Sequence, residues 1–177
     1  MLTQRFFFVA AVLLFVILLG GLLLRAIRRE SESAETSWAK LVARLAQVNK
    51  EAVKLIATDL LEGRDQVAPE SLYGMLGGLN GLVRLESNCE VLIELATYVQ
   101  RWHPEAVVAA EELRLAAREM KWHVERLQGA SAAGHLKTTF PDNALQAVRV
   151  YHGMTRRVLA LYEDTAFGDI SALRHAL

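Results

Sequence analysis

Nineteen consecutive residues near the amino terminus, Phe6 to Leu24 (FFFVAAVLLFVILLGGLLL), carry no charge and no strongly polar side chain. A helix rises about 1.5 Å per residue, so this run covers roughly 28 Å, close to the hydrocarbon thickness of a bilayer at about 30 Å. In lipid every backbone amide must find its partner within the chain, and a helix does this without help. The sequence therefore predicts a transmembrane anchor over residues 1–29, with Phe6, Phe7, Phe8, Leu14, Phe15, Leu19 and Leu24 facing membrane lipid. A cleaved signal peptide fits poorly. Its apolar region is shorter, and here the run ends in LRAIRRE with no small-residue cleavage site after it.

Orientation follows from arginine. Arg25, Arg28 and Arg29 stand after the run, whereas only Arg5 and the amino terminus stand before it. The positive-inside tendency puts the rest of the chain on the cytoplasmic side of a single-pass protein.

The remainder has the length of one ordinary domain. Residues 30–177 carry 16 basic and 20 acidic side chains, a net charge of −4. Nucleic-acid binding depends on a surplus of Lys and Arg that displaces counterions, so this balance argues against it. The single cysteine, Cys89, excludes an internal disulfide and any CxxC or CxxCH motif.

Hydrophobic periodicity divides the domain. Residues 30–36 (ESESAET) read as a polar linker. A first helix is expected from Thr36 or Ser37, with Trp38, Leu41, Leu45, Val48, Ala52, Leu55 and Asp59 on one face, ending at Gly63. A second is expected from Pro69 to Trp102 on a face from Leu72 to Val99, and a third after RWHPE on a seam from Ala106 to Leu127. GASAAGHLKTTF, residues 129–140, reads as a loop, and Pro141 opens a fourth helix with Ala144, Val148, Tyr151, Thr155, Val158 and Tyr162 inward. Residues 168–177 form a helical tail. The expected fold is all-α: an N-terminal transmembrane helix followed by an up-down-up-down four-helix bundle over 37–167. A self-associating coiled-coil hairpin is the alternative, and it leaves room for a homo-oligomer.

Chemistry has little support. Glu119 and His123 lack the Glu-x-x-His spacing of bundle di-iron sites. His152 reads as a boundary residue, and nothing in the sequence brings two axial ligands for haem together. Glu86 and Glu90 form an acidic pair around Cys89, which itself reads as a small buried hydrophobe. Neither a catalytic residue nor a cofactor or metal ligand is assigned, and the chain reads as not an enzyme.

Two features point to contacts instead. GMLGGLNG places Gly74, Gly77, Gly78 and Gly81 in a helix, where each costs roughly 0.5–1 kcal/mol relative to alanine. Either a backbone or flat ligand approaches closely there, or the helix breaks. On the third helix Val108, Leu115 and Trp122 repeat every seven residues opposite the seam, a stripe suited to a protein partner. Together these features favour a non-catalytic, membrane-anchored subunit that stabilises or links other integral membrane subunits of a larger complex, photosynthetic and respiratory assemblies being examples. A single-pass sensor or adaptor and a cofactor-binding bundle are the alternatives.

Overall fold

The computed structural model describes residues 37–63 and 67–177; the apolar run Phe6–Leu24, its arginine flank and the linker 30–36 lie outside the described residues. The chain divides after Ala39, and the architecture below is that of the unit Lys40–Leu177. Among the described residues all regular structure is helical: α1 (Lys50–Leu61), α2 (Pro69–Leu76), α3 (Gly78–Val99), α4 (Ala106–Ala132), α5 (Leu136–Thr165) and α6 (Ile170–Ala176). None of these is long and apolar enough to cross a membrane.

The three long helices α3, α4 and α5 each pack on the other two, while α1 lies on α5 and α2. Short connections at 100–105 and 133–135 make α3 and α4, and then α4 and α5, antiparallel. The expected seams are buried on these helices except at Ala117, which is half-buried: Ala106, Ala110, Leu113, Met120, Val124 and Leu127 from α4, and Ala144, Val148, Tyr151, Thr155, Val158 and Tyr162 from α5. Tyr162 donates its hydroxyl proton to the Leu95 carbonyl at 3.1 Å, tying α5 to α3 inside the core.

Sequence periodicity misjudged three places. The first helix is not continuous: residues 40–43 are helical, 44–49 are not, and α1 restarts at Lys50. Asn49 caps the restart, its side-chain oxygen accepting from the Ala52 amide at 3.1 Å. What holds the interruption open is Asn88 on α3. Its Oδ1 accepts from the Ala46 amide at 2.7 Å, and its Nδ2 donates to the Ala46 carbonyl at 3.0 Å and to the Tyr151 hydroxyl at 3.2 Å. Both backbone groups that the break frees at Ala46 thus meet one buried amide, which removes the main cost of leaving the helix. The restart also rotates the buried face. Ala52, Val53, Ile56, Ala57 and Asp59 go inward, and Leu55, expected inside, is exposed.

The second helix breaks as well. Gly77 and Gly78 adopt φ of 74° and 67°, the left-handed region open to glycine, so that α2 ends and α3 begins in a new direction. Two of the cluster's glycines also allow close approach. A Cβ on Gly78 would lie 2.7 Å from the Tyr73 ring, and one on Gly81 would lie 1.6 Å from the Leu76 carbonyl oxygen. Break and tight contact thus coexist, and the contacting backbone is the chain's own.

The stretch 129–140 is not a loop. α4 continues to Ala132, and α5 begins at Leu136 with Pro141 inside it. The turn between them is a Schellman closure on Gly134, with φ of 76°: His135 N–H bonds the Ala130 carbonyl at 2.8 Å, and Gly134 N–H bonds that of Ser131 at 3.2 Å. Pro141 lies in the second turn of α5, where its missing N–H costs the helix the bond to the Lys137 carbonyl. Asp59 fastens the remaining connection, its carboxylate accepting from the Val67 amide at 3.0 Å.

Two predictions follow for the full chain in mild detergent, read by urea unfolding and far-UV circular dichroism. Asn88→Ala strands both polar groups of Ala46 and should cost about 2–4 kcal/mol, whereas Tyr151→Phe should cost about 1 kcal/mol. Equal losses for the two would contradict the role given to Asn88. In the glycine cluster, Gly81→Ala should destabilise by several kcal/mol, while Gly74→Ala, with nothing within 4 Å of its Cβ position, should stabilise by about 0.5–1 kcal/mol.

Candidate contact surfaces

The helical repeat of α4 separates two stripes. One is the buried seam; the other turns outward, with Val108 61 %, Leu115 63 % and Trp122 52 % exposed. At 1.5 Å per residue the three span about 21 Å along the helix. Val107, also exposed, widens the stripe at its amino-terminal end. The connection at 133–135 is too short to cover this face. Trp122 is held in place by its neighbours: the Arg126 guanidinium lies 5.2 Å from its ring centroid, and the His123 ring meets it edge-on at 4.8 Å. An aromatic side chain fixed in this way loses little entropy when a partner covers it.

The glycine break forms a second surface feature. A cleft of about 380 Å³ opens between the non-helical segment Gln47 to Asn49 and the break, with Gly74, Gly77 and Gly81 in its wall. Asn49 Nδ2 reaches across it to the Met75 carbonyl at 3.4 Å. Gly78 is buried instead, facing Tyr73. The four glycines therefore do not form one face. A larger, mainly apolar cleft of about 680 Å³ lies where the first turns of α2 and α5 meet, lined by Pro69, Tyr73, Leu136, Phe140 and Pro141. Sequence reasoning missed it because it placed Leu136 and Phe140 in a loop. The Tyr73 and Phe140 rings, 4.9 Å apart, form its floor.

The titratable groups singled out in the sequence have structural surroundings. Cys89 is buried, and desolvation pushes its thiol up to about 12, far from the range of a reactive thiolate. Tyr151, bonded to Asn88, is also pushed up to about 12, mainly by burial. His123 is buried, with Nδ1 3.1 Å from Asn143 Oδ1. Asn143 Nδ2 donates to the Thr139 carbonyl at 2.9 Å, so its Oδ1 is an acceptor and His123 Nδ1 carries the proton. Burial holds the imidazole of His152 below its ordinary value, with Arg156 and Lys54 adding to the effect. Among the described residues no group of three or more His, Cys, Asp or Glu could hold a metal ion.

Glu86 and Glu90 differ in their surroundings. Glu86 is half-buried against α4 and its carboxyl is raised, first by desolvation and further by Glu125 and Glu90, with Lys121 opposing; Glu90 points to solvent. A carboxyl raised in the folded state costs stability once it must ionise. Stability should therefore fall as pH rises through its ordinary value of 4.5 to its higher folded value. Glu86→Gln should accordingly raise the urea midpoint at pH 7 and leave it unchanged below about pH 4. A gain of the same size at both pH values would refute this account.

No family model matches the chain, and comparison with curated proteins and with solved structures yields no match.

Proposed function

We propose that this chain is a non-catalytic, membrane-anchored helical subunit that stabilises or links components of a larger membrane protein complex, with an energy-transducing assembly as one suitable setting. In this reading Phe6–Leu24 is a single transmembrane helix, and the helices after it form an up-down-up-down bundle on the cytoplasmic face. The observation that carries the proposal is the outward stripe Val108, Leu115 and Trp122, a regular row of large apolar side chains on a helix whose other face already fills the core. Solitary exposed apolar residues are ordinary, but this row ends on a braced tryptophan, the residue type enriched at binding hot spots.

The buried polar groups support a passive role. Asn88, Tyr151, Asn143, His123 and Tyr162 are engaged in hydrogen bonds that fix the fold, and Cys89 is held as a neutral thiol. A nucleophile, a base and a group orienting them do not converge among the described residues. The partner expected is another integral membrane subunit, because a bilayer span confines both chains to one surface and raises their effective concentration. Gly74, Gly77 and Gly81 enter this reading only as the wall of a cleft that a partner segment can reach.

Trp122→Glu tests the proposal in native membranes. Co-purification of the partner subunits in mild detergent should fall at least tenfold, while resistance to alkaline extraction and helical content stay unchanged. A chain that purifies from native membranes as a lone monomer, or partners retained in full by the variant, would defeat it. A reporter fused after Leu177 that is active only outside the cytoplasm would reverse the orientation.

A further inference from the structure

The outward stripe of α4 is edged by charge, and its two edges carry different patterns. With Leu115 facing outward and about 100° of turn per residue, Glu111, Arg118 and Glu125 fall on one flank and Glu112, Glu119 and Arg126 on the other. All of them are exposed. Each residue on the first flank is followed directly by one on the second, so charges bracket the stripe in rungs: Glu111 with Glu112, Arg118 with Glu119, and Glu125 with Arg126.

The chain itself satisfies the outer rungs but not the middle one. Glu111 pairs with Arg114, and Glu112 with Arg157 at 3.4 Å. Glu125 lies 3.8 Å from Lys121, and Arg126 leans on the Trp122 ring. Arg118 and Glu119 sit beside the centre of the stripe, and among the described residues neither has an ion pair. Glu119 borders a cleft with Arg149 and Arg157 without pairing with either. The apolar row between the flanks stands open, whereas the exposed Trp102, at the end of the bundle, already stacks on Phe167 with centroids 4.9 Å apart.

Symmetry decides what satisfies both charges. In a parallel pair about a two-fold axis along α4, each flank meets the opposite flank of the other helix at the same height. Val108, Leu115 and Trp122 then meet their own copies, Arg118 meets the copy's Glu119, and Glu125 meets the copy's Arg126. Like charges face each other only at Glu111 and Glu112, which are already paired within each chain. An antiparallel pair centred on Leu115 brings each flank to itself and sets Glu119 against the copy's Glu112. We infer that the occupant of the stripe is a second copy of this chain, packed with α4 parallel to α4 in a two-fold pair. The inference deepens the contact role proposed for the stripe and rests on it. So short an apolar row is too small to hold a dimer in free solution, and the proposed anchor supplies the effective concentration that it lacks. The flanking charges fix direction and register, as they do beside the seam of a coiled coil.

The test co-expresses two differently tagged full chains, both carrying Val108→Cys, and treats intact cells with a short, membrane-permeant bismaleimide. Cys89, the only native cysteine, is buried. Covalent dimers holding both tags should form through the introduced thiols. Arg118→Glu in both chains, or Glu119→Arg in both, should lower their yield at least fivefold with helical content unchanged, because each sets like charges together on both sides of the pair. Arg118→Glu in one chain with Glu119→Arg in the other should restore the yield to within twofold, since both contacts are again between opposite charges. Only a second copy gives that rescue. A mixture that does not recover, a starting pair that yields no two-tag dimer, or a gain in yield with Glu119→Arg alone, as antiparallel packing would give, overturns the inference. If Trp122→Glu then still releases other co-purifying chains, the self-pairing alone has failed; if it releases none, the contact role of the stripe falls with it.

Discussion

The bond set of Asn88 is the constraint on which the arrangement of the first third of the domain depends. A helix continuing from residue 43 through residue 49 would satisfy its own backbone, so the chain leaves helical geometry there only if another group replaces those bonds. Asn88 does so for Ala46 with one donor and one acceptor, and its second N–H reaches Tyr151. Its amide is thus saturated in a site that is otherwise apolar. Low polarity around the group strengthens these bonds and would penalise any one of them left unmade. The side chain therefore specifies one path for the segment and one rotation for α1. From that rotation follow the burial of Val53 and Ala57 and the exposure of Leu55.

The second interruption answers the first across the same cleft. Gln47 to Asn49 form one wall, and Gly74 to Gly77 with Gly81 form the other. Asn49 belongs to both, capping α1 through Ala52 and reaching the Met75 carbonyl near the end of α2. Gly81 lets the first turn of α3 pass beneath the Leu76 carbonyl, an approach that a methyl group would block. Two breaks that would each weaken an isolated helix are compatible here because each gives the other room to turn.

Much of this architecture is legible in the sequence, and the failures share a cause. The seams of α4 and α5 are periodic over many turns, and the residues they select are buried except half-buried Ala117. Periodicity averages over a window, however, so it passes across Arg44 to Asn49 and across Gly77 without detecting a change of axis. The glycines announced a break or a close approach without saying which, since only three dimensions show Leu76 lying over Gly81. Asn88 lay unremarked beside Cys89 on the buried face, although an amide at a core position is itself a sign that a backbone group elsewhere needs a partner. In 129–140, small residues suggested a loop where Gly134 alone makes the turn. The outward stripe needed no tertiary information, because a heptad repeat fixes a face of any helix. The aromatic end did: Trp102 and Phe167 are far apart in sequence and meet only when α5 returns beside α3.

The distribution of polar and apolar groups gives the bundle its character. Inside, polar side chains are matched to specific partners, which fixes the fold and leaves them little freedom for proton transfer or ligation. Outside, among the described residues, exposed large apolar side chains form a row along α4, while Leu55, Leu61, Tyr73, Val83 and Trp102 are distributed over the other helices and the turn after α3. The two outer features are set at an angle, one along α4 and one across the end of the bundle that bears Trp102.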